Sequence, residues 1–100
     1  MAVLTGAQVR QLRSMAHGLT PVVMVGKDNV TTDVVARANE VLEARELIKC
    51  SVLDSSELSP RDAAQELASR SGAQVVQVIG RKFVLYRASH RKDIKRIELV

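Results

Sequence analysis

The sequence predicts an α/β fold: a layered sandwich in the order α-β-α-β-α-β-β, built around one four-stranded mixed sheet. Three observations carry that expectation. Apolar residues recur at helical spacing in three segments, and β-branched runs fall between them at the intervals of crossover units. The last two runs are separated only by Gly80 and Arg81, the length of a hairpin turn. One hundred residues suffice for a single core without staples, and 46% apolar with 26% charged residues is the composition of a globular chain.

Each element has a local reason. Thr5 and Gln8 stand at capping-box spacing, and Val9, Leu12, Ala16 and Leu19 share one face of a helix over 5–17. Gly18 offers that helix a left-handed C-cap, and Pro21 blocks its continuation. "VVMV" reads as a short buried strand, followed by the turn Gly26-Lys27-Asp28-Asn29. Thr31 or Thr32 caps the second helix, whose stripe is Val34, Val35, Ala38, Val41 and Leu42 and whose end lies near Arg45. Over 47–53, Ile48, Cys50 and Val52 face one side of a strand, with Lys49 and Ser51 on the other. Ser59 and Pro60 read as N-cap and N1 of the third helix, Ala63, Ala64, Leu67 and Ala68 as its buried face, and Gly72 as its stop. "AQVVQVI" and "KFVLYRA" form the hairpin, so the sheet combines parallel crossovers with an antiparallel pair. The chain divides into a unit at 1–88 and a basic tail at 89–100, "SHRKDIKRIELV", which either extends as an arm or docks through Ile94, Ile97 and Leu99.

The net charge of +4 is unevenly spread. Residues 1–27 carry three bases and no acid, 28–66 nine acids and four bases, and 67–100 eight bases and two acids, giving +3, −5 and +6. A positive face made from the two ends suits a phosphate-rich partner. The inventory for catalysis is thin, with two histidines, one cysteine and no Walker A, GxGxxG or GxSxG pattern, so no enzyme activity, cofactor, metal or small-molecule substrate is expected. Cys50 reads as an inert core thiol, and its solitude points to a reducing compartment, the cytoplasm. No secretory leader or membrane-spanning run is expected. "GRKFVLYR" mimics part of an RNP1 motif, but Phe83 and Tyr86 are three apart on a strand and point to opposite faces, so they read as core.

A strand that ends at Gly26 and a helix that starts a few residues later present unpaired N–H groups to an anion, and Lys27 adds a full charge. Arg10, Arg13 and His17 fall on one stripe of the first helix; with that helix packed beside the turn, these groups converge.

The run "LTGAQVRQLRSMAHGLTPVVMVGKDNVT", with "ELIKC" and "VIGRKFVLYR", resembles the YhbY-like family of single CRM domains, in register from about Leu4 to Arg87. The resemblance implies the fold derived above, similar to the C-terminal domain of bacterial translation initiation factor three. It also implies RNA binding in assembly of the large ribosomal subunit, by a monomer that recognises structured ribosomal RNA without catalysis. By the same resemblance, Gly26, Lys27, Asp28 and Asn29 form the family's GxxG loop, and Arg10, Arg13, His17, Lys49, Arg81, Lys82 and Arg87 belong to the RNA face near it. One departure is visible. Asn29 stands where the family pattern has glycine; asparagine tolerates the left-handed backbone, but its side chain is expected to take up space beside the phosphate, with Asp28 opposing Lys27. The alternative reading is an adaptor that docks on ribosomal proteins or assembly factors through Glu40, Glu43 and Glu66 of the acidic middle.

Overall fold

A computed structural model describes residues 3–100, and the first two positions of the 1–88 unit lie outside them. The elements come in the expected order: α1 (Gly6–Ala16), β1 (Pro21–Val25), α2 (Thr32–Arg45), β2 (Leu47–Val52), α3 (Pro60–Ser71), β3 (Gln74–Ile79) and β4 (Lys82–Tyr86). Side chains start all three helices. Thr5 and Gln8 close a capping box, Thr31 Oγ1 accepts from the Val34 N–H, and Ser59 Oγ accepts from the Asp62 N–H behind Pro60. Each such cap is worth about 1 kcal/mol against alanine. Gly72 ends α3 in the left-handed region, as expected, at φ 70°. Gly18 does not do the same for α1. That helix stops on a right-handed His17 and tightens through His17 N–H to Ser14 O and Leu19 N–H to Ala16 O, so Gly18 needs no positive φ.

The sheet order is β1-β2-β4-β3. β1 and β2 pair in parallel, and β4 is antiparallel to both of its neighbours. The hairpin strand β4 inserts between β2 and β3, so only one adjacent pair of the mixed sheet is parallel. β1, expected as buried, is an edge strand: Val23 and Val25 are inside, while Met24 is half exposed.

Two cores form, one on each side of the sheet. Phe83 and Leu85 of β4 join Ile48, Cys50 and Val52 of β2 against Ala38, Val41 and Leu42 of α2 and Ala63, Ala64 and Leu67 of α3. Val84 and Tyr86 face the other way, with Leu47, Val76, Leu12 and Ala16. Ile97 and Leu99 pack on this second core, so the tail docks.

A buried carboxylate holds the tail there. Glu46, between α2 and β2, is 1% exposed at φ 65°, and its N–H bonds Leu42 O to close α2. Its Oε2 accepts from the Ser89 N–H at 2.6 Å and its Oε1 from the Ile97 N–H at 2.8 Å, with the Arg96 guanidinium 3.6 Å away. Gln11 supplies a second attachment, donating to Glu98 O at 2.7 Å and accepting from the Val100 N–H at 2.9 Å. A buried charge so fully bonded is costly to disturb, because its partners are left unsatisfied. Glu46→Gln keeps the volume but sets an amide N–H against a backbone N–H. It is expected to cost about 1–3 kcal/mol in denaturant unfolding and to speed amide exchange at Ser89 and Ile97 ahead of Leu85; unchanged exchange at both would show that the carboxylate does not hold the tail.

Candidate nucleic-acid interface

Register brings the ends of several elements to one end of the sheet. The Leu53 N–H bonds Val25 O and the Val52 N–H bonds Arg81 O, both at 2.8 Å. The Gly26 turn, the start of the β2–α3 loop and the Gly80-Arg81 hairpin turn therefore lie side by side. Arg81 clamps this end, donating from Nε to Val52 O and from Nη2 to Leu53 O, and stands 3.6 Å from Asp54.

α1 lies across β2, β4 and β3 but covers only the half of its face nearest its own N-terminus, which Leu4 N–H ties to Gln74 on β3. Beyond its last turn the cross-strand row Met24–Ser51–Lys82–Ile79 has no helix over it. Met24 is 50% and Ile79 61% exposed there. The strand alternation that turns buried Val23, Cys50 and Phe83 and partly buried Val78 to the far side points these four residues outward on this one.

Where the open half meets α1, His17, Lys49, Gln77, Ile79 and Lys82, with Ala16 and Val84, line a cleft of about 270 Å³. Its lining carries three basic side chains and no carboxylate. Lys49, Lys82 and Lys27 make no ion pair or hydrogen bond among the described residues, whereas Arg37, Arg70, Arg81, Arg87, Arg91 and Arg96 are each engaged. A helix C-terminus attracts cations rather than anions, so any pull on a phosphate here comes from the side-chain charges alone.

The residues assigned to the face from sequence divide accordingly. His17, Lys49 and Lys82 meet at the cleft, and Arg81 and Lys27 sit at the adjoining end of the sheet. Arg13 and Arg10 are exposed one and two turns back along the His17 flank, which carries them away from the Gly26 turn rather than onto it. The opposite flank of α1 is occupied, Gln8 and Gln11 bonding the tail. Arg87 does not join the face. Its guanidinium, 13% exposed, donates to Asn39 Oδ1, Ser71 O and Glu43 Oε2 at 2.7, 2.6 and 3.0 Å, tying the end of β4 to α2 and α3.

The turn itself differs from expectation in one respect. The Asn29 N–H bonds Gly26 O at 2.9 Å, and Asn29 adopts φ 60°, so the left-handed backbone survives without glycine. Its side chain, however, faces the β2–α3 loop. Oδ1 accepts from Ser56 Oγ, the Glu57 N–H and the Leu58 N–H at 3.1, 3.0 and 3.4 Å. The carboxamide thus staples two loops together and does not project into the space in front of the turn. The loop it secures brings Asp54 and Glu57 to this end, where exposed Asp28 already opposes Lys27, so unopposed positive charge is greater in the cleft. Gly26 has no positive φ, and a Cβ there would meet only Leu53 Cδ1 at 3.6 Å and Ser55 Oγ at 3.7 Å, so the fold itself does not require glycine at this position.

The remaining candidates are occupied or inert. Glu40, Glu43 and Glu66 each face an arginine of their own chain. The Glu43 carboxyl is held below its ordinary range by the His90 N–H and the Arg87 guanidinium. Cys50 is fully buried, and burial pushes its thiol up to about 12. Sequence reasoning missed Glu46 and the internal role of Arg87. Nothing in "RELIK" or "LYR" separates a buried ionised group from a solvated one, since burial here depends on the docked tail and on α2.

The profile of the CRS1 / YhbY (CRM) domain family matches residues 4–87. The chain is 50% identical over 97 residues to the "Probable RNA-binding protein YqeI" of Bacillus subtilis, spanning 97% of this chain and 99% of that one. An "RNA-binding protein" of Haemophilus influenzae is 34% identical over 95 residues, spanning 95% and 96%. The solution structure of "the hypothetical protein SAV1595 from Staphylococcus aureus, a putative RNA binding protein" superposes with a TM-score of 0.76 at 36% identity, over 95% of this chain and all of that one.

The Asn29 staple separates backbone from side-chain effects. Asn29→Gly retains the left-handed turn and loses the three hydrogen bonds, for an expected cost of about 1–2 kcal/mol. Asn29→Ala adds the positive-φ penalty, about 1 kcal/mol more. Denaturant melts of both variants measure the order; equal stability of Asn29→Gly and the parent would mean that the staple carries no net energy.

Proposed function

The chain belongs to the CRS1 / YhbY (CRM) domain family, and from that membership we propose that it is an RNA-binding protein that docks on structured ribosomal RNA during assembly of the large ribosomal subunit. The observation that carries the reading is the cleft at the end of α1, where His17, Lys49 and Lys82 meet without a carboxylate and the two lysines have no partner among the described residues. Relatives of nearly the same length are named for RNA binding. Lysine ammonium groups on an open strand surface meet backbone phosphates as point charges, without reading bases. Double-stranded RNA, whose deep major groove shuts out side chains, is recognised in this way, by shape and backbone.

In this reading the open half of the sheet receives the RNA, and the Gly26–Asn29 loop closes one end of the contact. Glycine at 26, which the fold does not require, leaves room for a close backbone approach, and Lys27 reaches the phosphate. Arg10 and Arg13 extend the contact along α1. The protein acts as a cytoplasmic monomer with no cofactor and no catalytic step. Asn29 does not weaken the loop sterically, because its carboxamide is turned to the β2–α3 loop.

The test is a salt titration with a structured fragment of large-subunit ribosomal RNA. Affinity is expected to fall steeply with salt, with a log–log slope of about −0.9 per phosphate neutralised on a duplex. Lys49→Glu with Lys82→Glu is expected to weaken binding by about two orders of magnitude while the melting temperature holds, since both changes replace an attractive charge with a repulsive one at a phosphate. Binding that is insensitive to salt and to both changes would overturn the reading.

A further inference from the structure

We infer that the groove between α1 and the docked C-terminal tail is a second contact for the RNA backbone, with Lys92 and Lys95 as its phosphate-binding side chains. This rests on the RNA-binding reading and extends it to a segment outside the family match at 4–87. The groove, about 1120 Å³, is lined by Gln11 and Met15 of α1 and by Lys92, Ile94, Lys95 and Glu98 of the tail, among others.

Four features support it. The tail divides its cations between two uses. Arg91 is bonded to Asp93 at 2.9 and 2.5 Å. Arg96 donates to Ser89 O and Arg91 O and stands 3.6 Å from Glu46. Lys92 and Lys95 are exposed and have no partner among the described residues. Second, the segment that carries them is already ordered from both ends, by the Glu46 carboxylate at Ser89 and Ile97 and by Gln11 at Glu98 and Val100. Binding therefore meets little of the entropy cost of fixing a free arm. Third, the groove and the basic cleft flank the same last turn of α1 from its two sides: Met15 lines one, and Ala16 and His17 line the other. Fourth, one acid in the lining, Glu98, is outnumbered by the two unpaired lysines, Lys92 and Lys95, so the groove favours an anion. Met15, 44% exposed, and half-buried Ile94 give it an apolar side too narrow to be the main attraction for a protein helix.

The experiment compares the full chain with Lys92→Ala/Lys95→Ala and with Lys49→Glu/Lys82→Glu on the same structured ribosomal RNA, at several salt concentrations. Removing the two tail lysines is expected to lower affinity about tenfold or more near 0.1 M salt and to make the salt slope shallower by about 1.5–2. The melting temperature should not move, because neither side chain touches the core. If the tail variant binds with unchanged affinity and slope while the Lys49/Lys82 variant weakens, the groove is not an RNA contact and the proposed function stands alone. A tail variant that keeps its RNA affinity but loses binding to a polyglutamate peptide would assign the groove to an acidic protein segment and also overturn the inference. If the parent chain binds no RNA, both readings fall.

Discussion

The architecture depends on β4 being buried on both of its faces. Phe83 and Leu85 fill the core beneath α2 and α3, and Val84 and Tyr86 fill the core beneath α1 and the tail, so one five-residue strand joins two hydrophobic layers. Burying a large apolar side chain contributes about 1.5–3 kcal/mol, which makes this alternation the strongest local constraint on register. Its consequence for the surface is direct. The α2–α3 layer spans the sheet, whereas the eleven residues of α1 cover only part of the opposite face. What lies past His17 is strand surface carrying Lys49, Lys82, Met24 and Ile79, and that uncovered surface becomes the candidate interface.

Ionisable side chains are sorted by the same arrangement. Glu46 and Arg87 both bond backbone and neighbouring side chains, Glu46 through both carboxylate oxygens and Arg87 through both terminal nitrogens, with the buried Arg87 Nε left without a partner among the described residues. They fix the tail and the end of β4, so the basic residues on α1 and β2 are not recruited for structure. Lys27, Lys49, Lys82, Lys92 and Lys95 are left unpaired among the described residues, as are Arg10 and Arg13 on α1, Arg45 on α2 and Arg61 on α3. The lysines among them gather around the last turn of α1 and the adjoining sheet end, and their charge is electrostatic energy that the isolated domain does not use and that a polyanion can recover.

Much of this was legible in the sequence, because it is written in short-range signals. Thr5, Thr31 and Ser59 cap their helices, Gly80 turns the hairpin at φ 57°, and the three-residue offset of Phe83 and Tyr86 sends them to opposite cores. The site was legible in part. His17, Lys49 and Lys82 belonged to the basic set, but their meeting at one cleft requires knowing that β4 enters between β2 and β3. Arg87 looked like the other basic residues because its partners, Asn39, Glu43 and Ser71, come from distant positions in the chain. The same holds for Asn29, whose hydrogen bonds to Ser56, Glu57 and Leu58 cross between loops, and for Glu46, whose burial exists only once the tail has docked.

The central claim is that the half of the sheet left open by α1 is the surface that meets RNA. Amide and methyl chemical-shift mapping during titration with a structured large-subunit RNA fragment tests it most directly. The account predicts that the largest changes gather at His17, Met24, Lys49, Gln77, Ile79 and Lys82, with Gly26 and Lys27 at one end. Changes confined to the exposed surface of α2 and α3, with those residues unmoved, would contradict it.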